Sequence, residues 1–581
     1  MKLFPFAVLL MTLACRAQDY PLGPDSNVQP GVPKGTVKKF VLAPGKYYPG
    51  VPHNYQVYVP AQYDAAKPTA MMIHMDGGGA AGNGQRVPIV LDNLIAKKDI
   101  PVMIGIFVDP GMLPVADKEA QNRFERVFEY DSLSDRFASF LVDELIPEVA
   151  KTYNLSKNPD DRGLAGVSTG AVGAFMAAWN RPDQFHRVMS FIGTFVAMKG
   201  ADALPALIRR TEPKPLRIYL QAGKNDHVIP GQPYGTFYAG SWPINNQAML
   251  EAMQFAGYDA KLVLGDEGHN MKQGASIMPE AYRWLWRDYG TPIKQGVPEK
   301  MGDKGWDPRG KVYSTVTAGK TWEAVATVPQ AIQGVAADKD GNIYYCADKI
   351  YGPKGALAGT EGCGPLKAGP DGRIYAVQNR AGSANRVVAF APGGGDAKVL
   401  AENANALDLT VTSKGAVYFT TATAVMRVEP GGRLTTAYAG GELARPQGLA
   451  LSGDEAMLAV TDAVGRLSWS FQIAADGTLV NGEPFFRLEM PETGWMSGVT
   501  AAAQDSTGQV YFATPVGIQG AEANGRVAMI LNPPVTPGRV SAFAFAGGYL
   551  YAAEGQKLYR RPALVQGVGA WSVVKLPKPP L

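Results

Sequence analysis

A degenerate repeat in the C-terminal half constrains the fold of this chain more than any other feature. Six copies of a short pattern lie between residues 334 and 553, and each joins a small apolar segment, a polar turn and a segment with an aromatic residue. Two copies are GVAADKDGNIYYC (334–346) and GPLKAGPDGRIYAV (364–377), and the others begin at residues 407, 448, 498 and 543. A repeat of about 40 residues with four short strands is typical of a β-propeller blade. The sequence therefore predicts an all-β six-bladed propeller over residues 311–581.

The N-terminal half has a different pattern, in which apolar runs alternate with longer segments of helical periodicity. The run VMIGIFV (102–108) is apolar throughout, as expected for a strand that is buried on both faces. Strands that alternate with helices predict a doubly wound, mainly parallel sheet. A Gly- and Pro-containing polar stretch separates the two patterns, so we expect a first domain over residues 18–298 and a linker over 299–310.

The first twenty residues, MKLFPFAVLLMTLACRAQDY, predict export. A lysine precedes a short apolar run, and small residues then precede a cleavage position after residue 17, so residues 1–17 read as a signal peptide. A lipid anchor on Cys15 is the alternative to a free periplasmic or secreted protein. Export leaves Cys346 and Cys363, which either form one disulfide or stay as two buried thiols.

A serine motif follows a short apolar strand and opens a helix of small residues. Gly166-Val167-Ser168-Thr169-Gly170 fits G-x-S-x-G, which in this setting is the nucleophile elbow of an α/β-hydrolase. Ser168 is therefore the predicted nucleophile, and its hydroxyl needs a base to accept its proton.

The base and the acid are expected after the serine in chain order, because this fold places them so. His269 follows the predicted strand 261–264 and is the predicted base, whereas His186 lies too close to the elbow. Asp226 follows the preceding strand and is the predicted acid, with Asp266 or Glu267 as alternatives.

Two backbone amides should hold the oxyanion of the tetrahedral intermediate. Thr169 follows the nucleophile, and the glycine loop 76–79 supplies Gly78, with Gly77 as the alternative. Trp242 lies beside glycines and is a candidate for contact with substrate. Three further residues either shape the pocket or form a solvated face: Arg126, Glu129 and Tyr130.

The N-terminal half resembles a known group of enzymes. It is similar to the esterase D and enterochelin esterase-like α/β-hydrolases, which include carbohydrate esterase family 1. The matching segments are VYVPAQYD (57–64), MDGGG (75–79), FEYDSLSDRF (128–137), AGVSTG (165–170), GKND (223–226), GSWPINNQ (240–247) and EGHN (267–270). The resemblance implies hydrolysis of carboxylic esters, often of bulky or sugar-linked acids, without a metal or other cofactor.

The C-terminal half resembles the SMP-30/gluconolactonase/LRE-like propellers through its blade pattern and the segments PQGLALS (446–452) and GQVYFATPVGIQ (508–519). Lactonases of that group bind a divalent metal, but Gln447 and Ser497 stand where the resemblance implies ligands, and a first-blade Glu is missing. The half also has no histidine. We therefore expect a structural or binding role here, and no metal site.

Together these patterns predict an exported serine esterase for feruloyl, acetyl or related esters, linked to carbohydrate. A metal-dependent sugar lactonase in the propeller, or a binding propeller with a decayed esterase, is the alternative. The formal charge of +4 gives no electrostatic argument for a nucleic-acid partner. The oligomeric state stays open.

Overall fold

The computed structural model describes residues 19–116, 119, 121–228, 237–296, 311–490, 492, 496–571 and 573–577. The predicted signal peptide with Cys15, and the predicted linker 299–310, lie outside these residues. Within the described part, none of the helices combines the length and the apolar character needed to cross a membrane.

An eight-stranded sheet forms the centre of the N-terminal unit, in the order β1-β2-β4-β3-β7-β8-β9-β10. β1 and β2 are antiparallel additions at one edge, and the six strands from β4 to β10 run parallel. A small hairpin, β5 with β6, lies outside this sheet. The strands are β1 Thr36–Leu42, β2 His53–Val59, β3 Ala70–Met75, β4 Met103–Val108, β5 Met112–Leu113, β6 Arg123–Phe124, β7 Arg162–Val167, β8 Arg187–Phe191, β9 Arg217–Gly223 and β10 Asp259–Gly265.

Helices cover both faces of this sheet and explain why its central strands are apolar throughout. One core cluster packs α4 to α8 against one face, and a second packs α2 and α10 against the other. The helices are α1 Gly77–Ala81, α2 Val87–Lys97, α3 Arg126–Tyr130, α4 Arg136–Phe140, α5 Ile146–Ala150, α6 Thr169–Asn180, α7 Leu204–Arg210, α8 Trp242–Phe255, α9 Lys272–Ser276, α10 Met278–Trp286 and α11 Val312–Thr315, with a π-helical turn at Leu141–Leu145 and 3₁₀ turns at Pro24–Ser26, Pro159–Asp161 and Ala201–Ala203. The predicted doubly wound α/β-hydrolase fold is confirmed.

Six four-stranded antiparallel sheets follow, and they confirm the six-bladed propeller. Five blades are built from consecutive strands, and each of the six repeats supplies the two inner strands of one blade. The sixth blade joins β11 to β34, β33 and β32, so the start of the domain closes the ring on its end. The strands are β11 Glu323–Thr327, β12 Gly334–Ala337, β13 Ile343–Cys346, β14 Ile350–Gly352, β15 Gly355–Ala356, β16 Cys363–Ala368, β17 Ile374–Arg380, β18 Ser383–Phe390, β19 Lys398–Ala401, β20 Leu409–Val411, β21 Val417–Thr420, β22 Val425–Val428, β23 Leu434–Tyr438, β24 Pro446–Leu451, β25 Met457–Asp462, β26 Leu467–Ile473, β27 Leu479–Arg487, β28 Ala501–Gln504, β29 Val510–Thr514, β30 Gly517–Ala521, β31 Val527–Leu531, β32 Ala542–Ala546, β33 Tyr549–Glu554 and β34 Lys557–Pro562.

Cys346 and Cys363 form a disulfide, which settles the alternative that the sequence left open. Cys346 ends β13 in the first blade and Cys363 begins β16 in the second. The bond therefore ties two neighbouring blades together.

The two units meet through a buried ion pair. Arg561 donates from both terminal nitrogens to the Glu212 carboxylate, at 2.8 and 3.0 Å, and both side chains are buried. Glu212 also accepts the Asn532 amide at 3.0 Å, and Thr211 forms a parallel bridge with Ile530 on the outer strand of the fifth blade. The hydrolase unit thus docks on the side of the propeller.

Arg561→Leu is expected to destabilise the protein by about 3–5 kcal/mol, because it leaves the Glu212 carboxylate buried without its counter-ion. Arg560→Leu is the matched control, since the neighbouring Arg560 pairs with Glu323 at an exposed position, where such pairs contribute about 0–1 kcal/mol. Urea unfolding followed by fluorescence measures both changes. Equal losses in the two variants would contradict a stabilising role for the buried pair.

Candidate active site

Ser168 sits on a strained turn between β7 and α6. Its backbone has φ 59° and ψ −123°, outside the regions that L-residues normally adopt. Gly166 makes this turn possible, because a Cβ on it would lie 1.9 Å from the Gly170 carbonyl oxygen. The Ser168 amide donates to the Phe191 carbonyl at 3.0 Å and fixes the turn against β8. The strand, the turn and the helix together form a nucleophile elbow.

The structure brings Ser168, His269 and Asp226 into one hydrogen-bonded row. His269 Nε2 lies 2.9 Å from Ser168 Oγ, and His269 Nδ1 lies 2.9 and 3.0 Å from the two Asp226 oxygens. Asp226 follows β9 and is fully buried, whereas a quarter of the His269 side chain is exposed after β10. The parallel strands β7, β9 and β10 end at the same edge of the sheet, which is why residues distant in sequence meet there.

The two alternative acids have other partners. Asp266 pairs with Lys224 at 2.9 Å, and Glu267 accepts from Asn270 at 3.1 Å and from Lys272 at 3.4 Å. Of the three predicted acids, Asp226 is the one that contacts the imidazole.

The glycine loop lies beside the elbow, because β3 and β7 are neighbours in the sheet. Gly78, predicted as an oxyanion donor, instead donates its amide to Asp109 Oδ1 at 2.8 Å. The N–H of Gly78 is therefore engaged in this structure, and its role as an oxyanion donor stays a prediction. The alternative, Gly77, begins α1 in close contact with β4, where a Cβ would lie 2.3 Å from the Phe107 carbonyl carbon. Thr169 begins α6 directly after Ser168, as the prediction required.

Arg126 connects the glycine loop to the elbow. It donates to both oxygens of Asp76, at 2.7 and 2.8 Å, and to the Val167 carbonyl at 3.3 Å. The hydrogen bonds to Asp76 raise the pKa of the guanidinium further, so it is charged at all accessible pH values. The other two residues that the sequence placed with it, Glu129 and Tyr130, are fully buried, and neither lies on a solvated face.

Trp242, the candidate for contact with substrate, is 2% exposed. The indole packs against His227 and lies edge-on to His269, with ring centroids 4.4 and 5.8 Å away. Its N–H donates to Thr194 Oγ1 at 3.3 Å, and Thr194 Oγ1 in turn lies 3.0 Å from Ser168 Oγ. Sequence reasoning missed Thr194, which belongs to no motif; its position just after β8, at the carboxyl edge of the sheet, was the available signal.

His227 stacks on the base, with ring centroids 4.6 Å apart, and its Nε2 is 3.9 Å from Asp226 Oδ1. Burial, and then the nearby His269, lower the pKa of His227, so the neutral form is favoured. Within the described ranges, these two histidines and Asp226 are the one group of three side chains that could hold a metal ion. A metal bound through His269 Nδ1 would replace its hydrogen bond to Asp226.

Several apolar side chains are exposed on segments that also carry residues of the site. They lie on the segments that carry Arg126, Thr194 and Trp242, and they are Phe124, Val127, Phe128, Met198 and Tyr238. Two cations stand over the Phe128 ring, Arg136 at 5.0 Å and Lys199 at 5.5 Å. These segments therefore expose aromatic and aliphatic surface, with positive charge beside Phe128.

Asp131 lies directly after α3, and both of its carboxylate oxygens are buried without a hydrogen-bond partner among the described residues. Burial raises its pKa to about 6, against the opposing effects of Lys199 and Arg126. The next residues contact the propeller, since Glu492 accepts the Leu133 amide and, at 3.3 Å, the Ser132 hydroxyl. Asp131 is thus an ionisable group at the border between the site and the second domain.

Asp131→Asn is expected to stabilise the protein at pH 7.5 by up to about 3 kcal/mol and to change little at pH 4. The folded pKa lies above the unfolded value, so the wild type loses stability as the pH rises from about 4 to above 6 and the buried group ionises. Thermal unfolding at both pH values measures the effect, with the exposed Asp202→Asn as control. A destabilised Asp131→Asn protein at pH 7.5 would contradict this account.

Gln447 and Ser497, which stand where the resemblance implies metal ligands, link neighbouring blades, and so does Asp408. Ser497, before the fifth blade, donates to the Asp462 carbonyl in the fourth at 2.6 Å. Asp408, before the third blade, accepts the Leu449 amide of the fourth at 2.9 Å, and burial raises its pKa. Gln447 accepts a hydrogen bond from Thr420 through its backbone carbonyl. These contacts fit the predicted structural role of the propeller.

Comparison with family models agrees with this division of the chain. Residues 48–281 match the Esterase model (“Putative esterase”), and residues 347–553 match the SMP-30/Gluconolactonase/LRE-like region. The N-terminal unit is a carboxylic ester hydrolase domain. Both predicted resemblances are confirmed, and the second domain is a propeller of the SMP-30/gluconolactonase/LRE-like type.

Individual relatives are distant. An uncharacterized protein of Bacillus subtilis, YbbA, is 20% identical over 184 residues, which are 30% of this chain and 68% of that protein. An enterobactin esterase structure from Shigella flexneri is 19% identical, with a TM-score of 0.36 over 45% of this chain and 64% of that one. A CE1 ferulic acid esterase from Anaeromyces mucronatus is 16% identical, with a TM-score of 0.37 over 47% and 98%. A gluconolactonase from Xanthomonas campestris is 19% identical, with a TM-score of 0.36 over 44% and 92%.

Proposed function

We propose that this protein is an exported serine esterase in which Ser168, His269 and Asp226 form the catalytic triad. One observation carries the proposal: the Ser168 hydroxyl, both nitrogens of His269 and the buried Asp226 carboxylate follow one another at hydrogen-bond distance. That order is what activation of a serine hydroxyl by an oriented imidazole needs.

In the proposed reaction, Ser168 Oγ attacks the ester carbonyl carbon while His269 Nε2 takes the hydroxyl proton. The amides of Gly77 and Thr169 hold the oxyanion of the tetrahedral intermediate. The intermediate collapses as His269 returns the proton to the leaving alcohol, and an acyl-enzyme remains on Ser168. His269 then takes a proton from the water that attacks the acyl-enzyme, and it returns this proton to Ser168 Oγ as the acid is released.

For the substrate we propose carbohydrate-linked esters of feruloyl, acetyl or related acids. The exposed aromatic side chains on segments next to the site in sequence, Phe128 and Tyr238 among them, support a bulky aromatic acyl group over acetyl. The ferulic acid esterase match is in keeping with this choice.

Export rests on the N-terminal residues and on the Cys346–Cys363 disulfide, since disulfides persist mainly in oxidising compartments. Interblade contacts by Asp408 and Ser497 support a structural or binding role for the propeller over lactone hydrolysis.

The experiment is a panel of methyl ferulate, feruloylated and acetylated oligosaccharides and gluconolactone, assayed with and without EDTA, together with labelling by a fluorophosphonate. We expect EDTA-insensitive hydrolysis of the aromatic esters and a single phosphonyl adduct on Ser168, located by mass spectrometry. Lactone hydrolysis that EDTA abolishes, with no adduct on Ser168, would contradict the proposal.

A further inference from the structure

The Ser168 hydroxyl has a second hydrogen-bond partner besides His269. Thr194 Oγ1 lies 3.0 Å from Ser168 Oγ, and the same threonine oxygen receives the indole N–H of Trp242 at 3.3 Å. Thr194 and Trp242 are both buried, at 1% and 2% exposure. The triad is therefore extended by two residues into a row of five: Trp242, Thr194, Ser168, His269 and Asp226.

The two ends of this row determine the direction of every hydrogen bond in it. An indole nitrogen can only donate, so Thr194 Oγ1 accepts from Trp242 and keeps its own proton to donate. Once Ser168 gives its single proton to His269, the proton between the two hydroxyls must come from Thr194. An ionised carboxylate can only accept, so His269 carries its proton on Nδ1, facing Asp226, and leaves Nε2 as an acceptor. Ser168 then accepts from Thr194 and donates its own proton to His269 Nε2.

Helix α8 holds the branch formed by Trp242 and Thr194 in place. Trp242 shares a helix face with the residues three and four positions later, Asn245 and Asn246. The Asn245 side chain donates to the Phe195 carbonyl at 2.6 Å, and the Asn246 side chain donates to the Gly193 carbonyl at 2.9 Å. The carbonyls on both sides of Thr194 are thus bonded to the helix that supplies the indole. The Thr194 amide also donates to the Ser168 carbonyl at 3.2 Å.

We propose that Thr194 and Trp242 are positioning residues that orient the Ser168 hydroxyl, so that its proton points at His269 Nε2. A serine hydroxyl without such a donor can leave this orientation through rotation about its Cα–Cβ and C–O bonds. The hydrogen bond from Thr194 occupies one lone pair of Ser168 Oγ. The Ser168 proton then points toward the base, His269 Nε2. This inference rests on the proposed triad and gives Trp242 a role in orienting the nucleophile.

Thr194→Val and Thr194→Ser separate the hydroxyl from the shape of the side chain. Thr194→Val keeps the volume and removes the donor, so we expect kcat and the rate of Ser168 phosphonylation to fall about tenfold, as one lost hydrogen bond implies. KM should change less than about twofold, because in this account the residue acts through Ser168. Thr194→Ser restores the hydroxyl, and we expect it to lose less than about threefold.

Trp242→Phe tests the other end of the branch. It keeps a ring against His227 and removes the N–H, so that the Thr194 proton is free to turn away, and we expect a fall of about threefold in kcat. The same substitution in the Thr194→Val background should add no further loss, because the branch is already broken. Trp284→Phe, whose ring packs on Arg287 and Tyr219, is the control for losing an indole elsewhere in the domain.

Circular dichroism and thermal unfolding confirm that each variant is folded. A folded Thr194→Val protein with wild-type kcat, or equal losses in Thr194→Val and Thr194→Ser, would overturn the orienting role. A wild-type protein that shows neither a phosphonyl adduct nor ester hydrolysis would instead count against the triad itself. The two failures are therefore distinguishable.

Discussion

Ser168→Ala is expected to lower kcat for ester hydrolysis by a factor on the order of 10⁴–10⁶, while KM changes little. The reaction depends on a covalent bond to Oγ, and the substitution removes that atom and leaves the rest of the site in place. The fold should survive, because alanine at φ 59° carries the same backbone strain as serine. Steady-state kinetics on methyl ferulate and the melting temperature measure the two halves of this prediction.

The control for Ser168→Ala is Ser276→Ala in the same domain, where the hydroxyl caps the Gln273 carbonyl at 2.8 Å on α9. That variant is expected to keep kcat within about twofold, since its side chain is remote from the triad. A Ser168→Ala protein that retains kcat within about tenfold of wild type would remove the nucleophile assignment. Contaminating esterase is excluded if no protein in that sample forms a phosphonyl adduct.

The triad was accessible from the sequence because strong local signals marked each of its members. The elbow has a pattern in which Gly166 is required, because it lies against the Gly170 backbone. His269 and Asp226 each follow an apolar strand, and parallel strands deliver such residues to one edge of the sheet. Five histidines in the whole chain left few candidates for the base.

The hydrogen bond that engages the Gly78 amide could not be predicted from the sequence, because its partner comes from another strand. Asp109 follows β4, 31 residues later, and nothing in the glycine loop itself shows that a carboxylate will accept one of its amides. Trp242 was predicted as a substrate contact, and its burial could not be read from the sequence for a similar reason. Its neighbours Thr194 and His227 come from loops after two other strands, and those loops enclose the indole only once the sheet has formed.

The propeller shows the same contrast between local and non-local information. Six repeats correctly predict six blades, since each repeat contains the inner strands that bury its aromatic and aliphatic residues. Strand β11 lies before the first repeat, and its pairing with β34 joins residues more than 200 positions apart. The periodicity of the sequence does not reveal this closure, because the closure depends on the curvature of the whole ring.

Asp226→Asn is expected to lower kcat by roughly 10⁴-fold, the second-largest effect of any single substitution that we propose. The buried carboxylate accepts from His269 Nδ1 and so keeps Nε2 free to take the Ser168 proton. If the asparagine presents its NH₂ to Nδ1, the imidazole must carry its proton on Nε2 and can no longer act as the base. Ser168 phosphonylation should slow by a similar factor, because it needs the same base.

The matched controls are Asp266→Asn and Glu267→Gln, which remove charge from the loop that carries His269. Both carboxylates face lysines at the surface, so each variant should keep kcat within about threefold of wild type. His227→Phe adds a second discrimination, since His227 is the other imidazole near Asp226 and a phenyl ring preserves its stacking on His269. If Asp226→Asn were nearly silent and Asp266→Asn were not, the acid would lie in the His269 loop. If His227→Phe alone abolished turnover, the second imidazole would be the base that Asp226 orients.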